Sequence, residues 1–198
     1  MDIQAMSETT SYYDNNANSY FDATVNVDFS DSYNHFTTLL PEHARIIDMG
    51  CGSGRDVKAF CDMGFDAVGL DASDELASVA EEKLGIKVMR GDMSTWISDT
   101  PFDGIWCCAS LLHLRDEEIQ SFFDKLTNNL KPGGVIFISV KEGSGRFIDD
   151  KGRYMKLFTE KELEDLLTEE GINTIEHWKT SDTLGRNDVS WLNYIGRK

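Results

Sequence analysis

The chain predicts an α/β fold built on a doubly wound, mostly parallel sheet, and three observations carry that prediction. From residue 45 onward, short apolar runs of strand length alternate with amphipathic runs of helix length, the order that a parallel sheet with crossover helices requires. The first strand, Arg45-Ile46-Ile47-Asp48-Met49, runs straight into a turn with glycine at every second position, Gly50, Gly52 and Gly54. A second strand, Phe65 to Leu70, follows the next helical run and ends on Asp71, which completes a βαβ unit.

The elements follow in order. Residues 1–10 predict a frayed start. Residues 11–44 are rich in aromatics, with Tyr12, Tyr13, Tyr20, Phe21, Phe29, Tyr33 and Phe36. Such residues serve either a helical cap over a ligand site or anchors onto the sheet core. The polar run from Arg55 to Asp62 starts a helix. Ser73 is placed to cap a helix through Lys83, with Leu76, Val79 and Ala80 toward the core and Gly85 as terminator. Asp116 to Leu130 spaces Ile119, Phe122, Phe123, Leu126 and Leu130 at helical intervals. Thr159 and Glu162 form a capping-box pattern before Leu163, Leu166 and Leu167, and Gly171 closes that helix. Ile172–Trp178 and Val189–Ile195 predict a last pair of strands. No repeat or linker interrupts the sequence, so one domain is predicted over 1–198, with a cap segment at 1–44 and a core at 45–198.

The glycine turn points to a ligand. Without Cβ atoms, this backbone admits close approach and dihedrals closed to other residues, and the following helix directs its first amides back at the turn. An acid at the tip of the neighbouring strand, here Asp71, accepts hydrogen bonds from both hydroxyls of a ribose. The spacing departs from the dinucleotide pattern G-x-G-x-x-G, and no phosphate-cradling G-x-x-x-x-G-K-[ST] is present. Asp48 sets a negative charge where a pyrophosphate would sit, which suits a cationic or zwitterionic ligand. These two features oppose a nicotinamide-dependent dehydrogenase.

The arrangement strand–Asp48-x-Gly50-x-Gly52-x-Gly54–helix–strand–Asp71 resembles the class I S-adenosylmethionine-dependent methyltransferases. Further motifs extend the resemblance. Lys87-Val88-Met89-Arg90-Gly91-Asp92-Met93 is similar to the family's third strand, and Phe102 to Ser110 to its fourth. Lys131-Pro132-Gly133-Gly134 before Val135–Val140 is similar to its turn into the fifth. The resemblance implies a Rossmann-like sheet of seven strands with the last antiparallel, and S-adenosyl-L-methionine as cofactor. It implies that Gly50, Cys51 and Gly52 line the methionine part and that Asp71 binds the ribose, with Ala72 beside the adenine. It also implies that Asp92 and Met93 hold the base, and that Ala109 and Ser110 lead to the methyl-donor pocket. Arg55-Asp56 and Ser110–Leu114 also look like tellurite-resistance and wobble-tRNA methyltransferases.

Composition narrows the partners. The net charge is −16, of which residues 1–100 carry −12. A nucleic-acid backbone or an acidic membrane surface demands clustered positive charge, so a small-molecule acceptor is favoured, and a tRNA partner would need a second subunit to supply it. No stretch of 18 apolar residues and no signal-peptide pattern occurs, so a cytoplasmic location is predicted. The four cysteines, Cys51, Cys61, Cys107 and Cys108, fit neither a zinc site nor a disulfide framework, and no metal is predicted.

Methyl transfer needs alignment and dryness more than acid–base chemistry. His113 is the candidate general base if the acceptor carries a proton; the alternative is a histidine that only holds its loop. Arg55 either pairs with the donor carboxylate or plays no part, and Tyr13 and Tyr20 are candidate lid residues. Lys141, Arg146, Lys151, Arg153 and Lys156 outnumber the local acids by two, so Lys141, Arg146 and Arg153 are candidates for an anionic group on the acceptor. A donor-binding subunit without catalysis is the remaining alternative.

Overall fold

The structure, a computed structural model, describes residues 3–182 and 189–198. Met1 and Asp2 of the predicted frayed start, and the connection 183–188 between the last two strands, lie outside the described residues. Nine strands are described: β1 (Arg45–Met49), β2 (Asp66–Asp71), β3 (Val88–Arg90), β4 (Phe102–Cys108), β5 (Leu130–Lys141), β6 (Arg146–Ile148), β7 (Tyr154–Lys156), β8 (Asn173–Ser181) and β9 (Ser190–Arg197). Seven of them form one sheet in the order β3-β2-β1-β4-β5-β9-β8, and β6 pairs with β7 in a separate hairpin. β9 runs antiparallel to both neighbours, whereas β1 to β5 pair in parallel. The predicted fold, including the antiparallel last strand, is the one observed.

Alternation along the strands sends successive residues to opposite faces. Ile46, Trp106, Phe137 and Ile195 share one face with Phe60 and Phe36. Ile47, Met49, Leu70, Ile105 and Ile138 share the other with Phe122, Phe123, Leu163 and Leu167. The helices responsible are α1 (Ile3–Asn15), α2 (Ala17–Thr24), α3 (Ser30–Thr37), α4 (Arg55–Asp62), α5 (Asp74–Leu84), α6 (Asp116–Asn129) and α7 (Glu160–Glu169). Local signals set their ends. Ser73 Oγ accepts from Leu76 N at 3.1 Å and Gly85 takes a left-handed conformation. Thr159 Oγ1 accepts from Glu162 N at 3.2 Å.

Four features differ from the sequence reading. Residues 3–10 are helical, within α1, because the cap is held from the far side of the molecule: Thr9 Oγ1 accepts from Tyr154 N at 3.0 Å. β3 is shorter than predicted. β5 begins at Leu130, before the predicted turn, because Leu130 pairs with Phe102 and the Gly133-Gly134 backbone is held by Lys198. The basic segment after β5 contains the β6–β7 hairpin. The cap aromatics divide between the two anticipated roles. Tyr33 and Phe36 of α3 are buried on the sheet, while Tyr12, Tyr13 and Tyr20 face a cavity.

Candidate functional site

Strand order reverses between β1 and β4, and a cavity of about 490 Å³ opens at the carboxyl ends of the strands there, where ligands sit in open α/β sheets. Most of the predicted site residues meet in it. Gly50, Cys51, Gly52, Arg55, Asp71, Ala72, Asp92, Met93, Ala109, Ser110 and His113 line it from the strand tips, Tyr13 and Tyr20 from the cap, Lys141 from the end of β5 and Arg153 from beyond it. Asp48 and Arg146 do not line it. Asp48 is buried in β1, and Arg146 is half exposed and paired with Asp116. Among the described residues no cluster of metal ligands occurs.

The glycine turn is shaped for close approach. Gly50 N and Cys51 N donate to Leu70 O at 2.7 and 3.1 Å, which ties the turn to β2. Gly50 has φ +80°, and a Cβ there would sit 2.4 Å from the Ser110 Cβ. Gly52 has φ +54°, with the Tyr20 ring 3.3 Å from where its Cβ would be. Ala109, at the end of β4, also has a left-handed φ of +57°, a strain found most often at functional sites.

Asp71 accepts from Gly52 N (2.8 Å) through one oxygen and from Ser73 N (2.9 Å) through the other. Burial pushes its carboxyl up, against these amides. A carboxylate has about four acceptor sites, so capacity for ribose hydroxyls remains. Asp92 accepts from Ser94 N and Ser94 Oγ, both at 2.8 Å and both through one oxygen.

Two of the predicted residues are already engaged by other groups of the protein. Arg55 is held by its neighbour: Nε and Nη2 donate to the Asp56 carboxylate at 2.6 and 2.9 Å, and its guanidinium lies 4.0 Å over the Phe29 ring. Asp56 also accepts from Tyr33 OH (2.5 Å) and Trp106 Nε1 (2.8 Å). The convergence of Tyr33 and Trp106 on Asp56 escaped the sequence reading. The available signal was Asp56 lying four residues before Phe60, on the buried face of α4.

His113 has both ring nitrogens engaged. Nδ1 donates to the Tyr154 carbonyl at 2.8 Å, which leaves Nε2 to accept from Tyr13 OH at 2.8 Å. Arg153 Nη1 donates to the same phenol oxygen at 3.1 Å, and its Nε and Nη2 bind Asp149. Burial pushes the imidazole down to about 4, with Arg153 and Lys141 adding to the effect against the Tyr154 bond. Burial pushes the Tyr13 phenol up to about 12. His113 is therefore neutral at neutral pH, and its free lone pair is occupied by the cap.

Asp48 tests the fit of a cationic nucleoside. It is 1% exposed, and both its oxygens are without a hydrogen-bond partner, as is the buried Ser110 Oγ. Buried polar atoms without partners are rare in folded proteins, and a ligand ammonium would supply what this carboxyl lacks. With Asp71 at the second strand tip and glycines under the ligand path, the residues fit S-adenosylmethionine.

Comparison with known proteins agrees. A family model described as a methyltransferase domain matches residues 46–134. A putative methyltransferase, YqeM of Bacillus subtilis, is 32% identical over 111 residues, 51% of this chain and 44% of that protein. The ubiquinone biosynthesis O-methyltransferase of Rickettsia typhi is 23% identical over 78% of this chain and 73% of its own. The 1,6-didemethyltoxoflavin-N1-methyltransferase of Burkholderia thailandensis shares the fold at a TM-score of 0.83 and 20% identity, over 100% of this chain and 90% of its own. Glycine turn, strand-tip acids and the matched segment from β1 to the start of β5 together make the chain similar to the class I S-adenosylmethionine-dependent methyltransferases, whose fold it shares.

Proposed function

We propose that the protein transfers a methyl group from S-adenosylmethionine to a small-molecule acceptor by in-line displacement. The observation that carries this reading is Asp71, fixed by Gly52 and Ser73 amides at the mouth of a glycine-floored cavity with acceptor capacity to spare. When bound, the cofactor supplies an electrophilic methyl on a sulfonium. Asp71 holds the ribose, Asp92 and Met93 bound the base, and Gly50 and Gly52 admit the methionine part against bare backbone. Tyr13 and Tyr20 close the cap and exclude water, so alignment and dryness do the chemical work.

His113 positions Tyr13 in this reading and does not act as a base, since its Nε2 is occupied and its imidazole is a poor proton acceptor at neutral pH. Arg153, Lys141 and Lys151 give the acceptor end positive charge while Asp71 and Asp92 mark the donor end, which favours an acceptor carrying a carboxylate or phosphate. The relatives' names likewise point to small molecules: ubiquinone biosynthesis for one, and 1,6-didemethyltoxoflavin, bound in its crystal structure, for another. Calorimetry with S-adenosylhomocysteine tests the reading. Native protein should bind, and Asp71→Asn should lose roughly tenfold or more in affinity, the size of a charge-assisted hydrogen-bond pair. An unchanged affinity in Asp71→Asn overturns it.

A further inference from the structure

We infer that Asp48 is a proton-exchange site: its buried carboxyl carries a proton in the ligand-free protein and releases it to solvent when the ammonium of the donor's methionine part arrives beside it. The inference rests on the donor reading above and goes beyond it, because it makes donor binding depend on pH through one residue.

The geometry is a contrast between two neighbouring carboxyls. Asp56 takes four donated hydrogen bonds, two from Arg55 and one each from Tyr33 and Trp106. Asp48, 1% exposed, takes none. The charged and titratable groups facing Asp48 are Arg55 and Asp56 on α4, Asp71 on β2, Cys51 in the glycine turn, and Cys107 and Cys108 on β4. Arg55 is the one cation in that set, and it is committed to Asp56 through a bidentate contact.

An ionised carboxylate in a dry site without a hydrogen bond or counter-charge takes up a proton instead. Burial first, then Asp56 and Asp71, push the Asp48 carboxyl well above the usual carboxylate range against Arg55. Five of the six groups facing it, Cys51, Arg55, Asp56, Asp71 and Cys108, line the cavity, so Asp48 lies one side chain behind the wall that the methionine part would meet. An ammonium at that wall supplies the counter-charge that Asp48 lacks. The carboxyl O–H bond breaks, the proton passes to the buffer, and carboxylate and ammonium pair; nothing is oxidised or reduced.

The test is calorimetric titration at pH 7 with S-adenosylhomocysteine, which keeps the amino-acid part, in Tris and in phosphate, whose ionisation enthalpies differ widely. Native protein should release about one proton per ligand bound, and affinity should fall by up to about tenfold per pH unit as the pH is lowered over the range in which free Asp48 is protonated. Asp48→Asn should release about none. The same holds for native protein titrated with 5′-methylthioadenosine, which keeps the nucleoside and lacks the ammonium. Identical apparent heats in the two buffers, with binding intact, overturn the inference, as does an undiminished release in Asp48→Asn. If that variant does not fold, the 5′-methylthioadenosine comparison decides alone. Absence of any binding by S-adenosylhomocysteine overturns the donor reading itself and is distinguishable from both.

Discussion

Replacing Asp56 by alanine removes the acceptor on which four buried hydrogen bonds converge. Arg55 would keep a guanidinium whose side chain is 17% exposed, with no carboxylate, while Tyr33 OH and Trp106 Nε1 would lose their acceptor. Breaking a buried ion pair from one side costs about 3–5 kcal/mol, and at this chain length each kcal/mol lowers Tm by about 2–4 °C, so a fall of roughly 6–20 °C is expected. Denaturant unfolding followed by tryptophan fluorescence is the assay, since Trp106 is stacked on Phe137 at 3.8 Å in the core and reports its loss. Tyr33→Phe is the control, because Asp56 keeps its other three donors and the cost should be about 1 kcal/mol.

The pH dependence follows from the same contacts. Burial raises the Asp56 carboxyl, but Arg55, Tyr33 and Trp106 together hold it below its ordinary range. The stability this contributes is complete above the unfolded value of about 3.9 and is lost as the pH falls through the folded value. Native and Asp56→Ala stabilities should therefore converge on acidification. A cost for Asp56→Ala no larger than that for Tyr33→Phe would refute the account of Asp56 as the hub.

Other variants test other parts of the site. Gly52→Ala puts a Cβ at φ +54° and against the Tyr20 ring; it should cost about 1–2 kcal/mol from backbone strain and weaken S-adenosylhomocysteine binding, measured by thermal melt and calorimetry. The pH profile of kcat/KM should show no limb near 6.5 attributable to His113, whose imidazole burial pushes down to about 4; a limb there that vanishes in His113→Gln would restore it as a base. Arg153→Ala should raise the acceptor KM severalfold, whereas Arg146→Ala, outside the cavity, should not. Asp48→Asn should be no less stable than the native chain at pH 7. A carboxyl raised by burial costs stability as pH climbs above its unfolded value, at about 1.4 kcal/mol per unit until the folded value is reached.

The legible parts of this chain were those fixed by neighbours in sequence. The strand–turn–strand from Arg45 to Asp71 could be read because glycine spacing and apolar runs are local, and so could the Ser73 and Thr159 caps, whose partners lie three residues away. The strand-tip acids could be placed because a parallel sheet puts successive strand ends on one edge. What escaped depends on partners far along the chain. Tyr13 and His113 are 100 residues apart, so nothing near His113 reveals that its lone pair is taken. The early start of β5 depends on Lys198, and the β6–β7 hairpin has only a short run of mixed polarity to announce it. Arg55 reads as either a ligand partner or idle because a polar run at a helix start does not reveal that Asp56, its neighbour, is buried and holds it.

The fastening of α1 governs how often the site can be used. Tyr13 to His113, Tyr154 N to Thr9, and Ser73 Oγ to Asp14 at 2.6 Å bolt that helix across the cavity mouth, and Tyr20 sits on the glycine beneath. At about 1 kcal/mol each, the three bolts together slow unlatching roughly a hundredfold relative to an unfastened helix. Weakening a bolt such as Asp14 should therefore trade a drier reaction chamber for faster exchange of its contents.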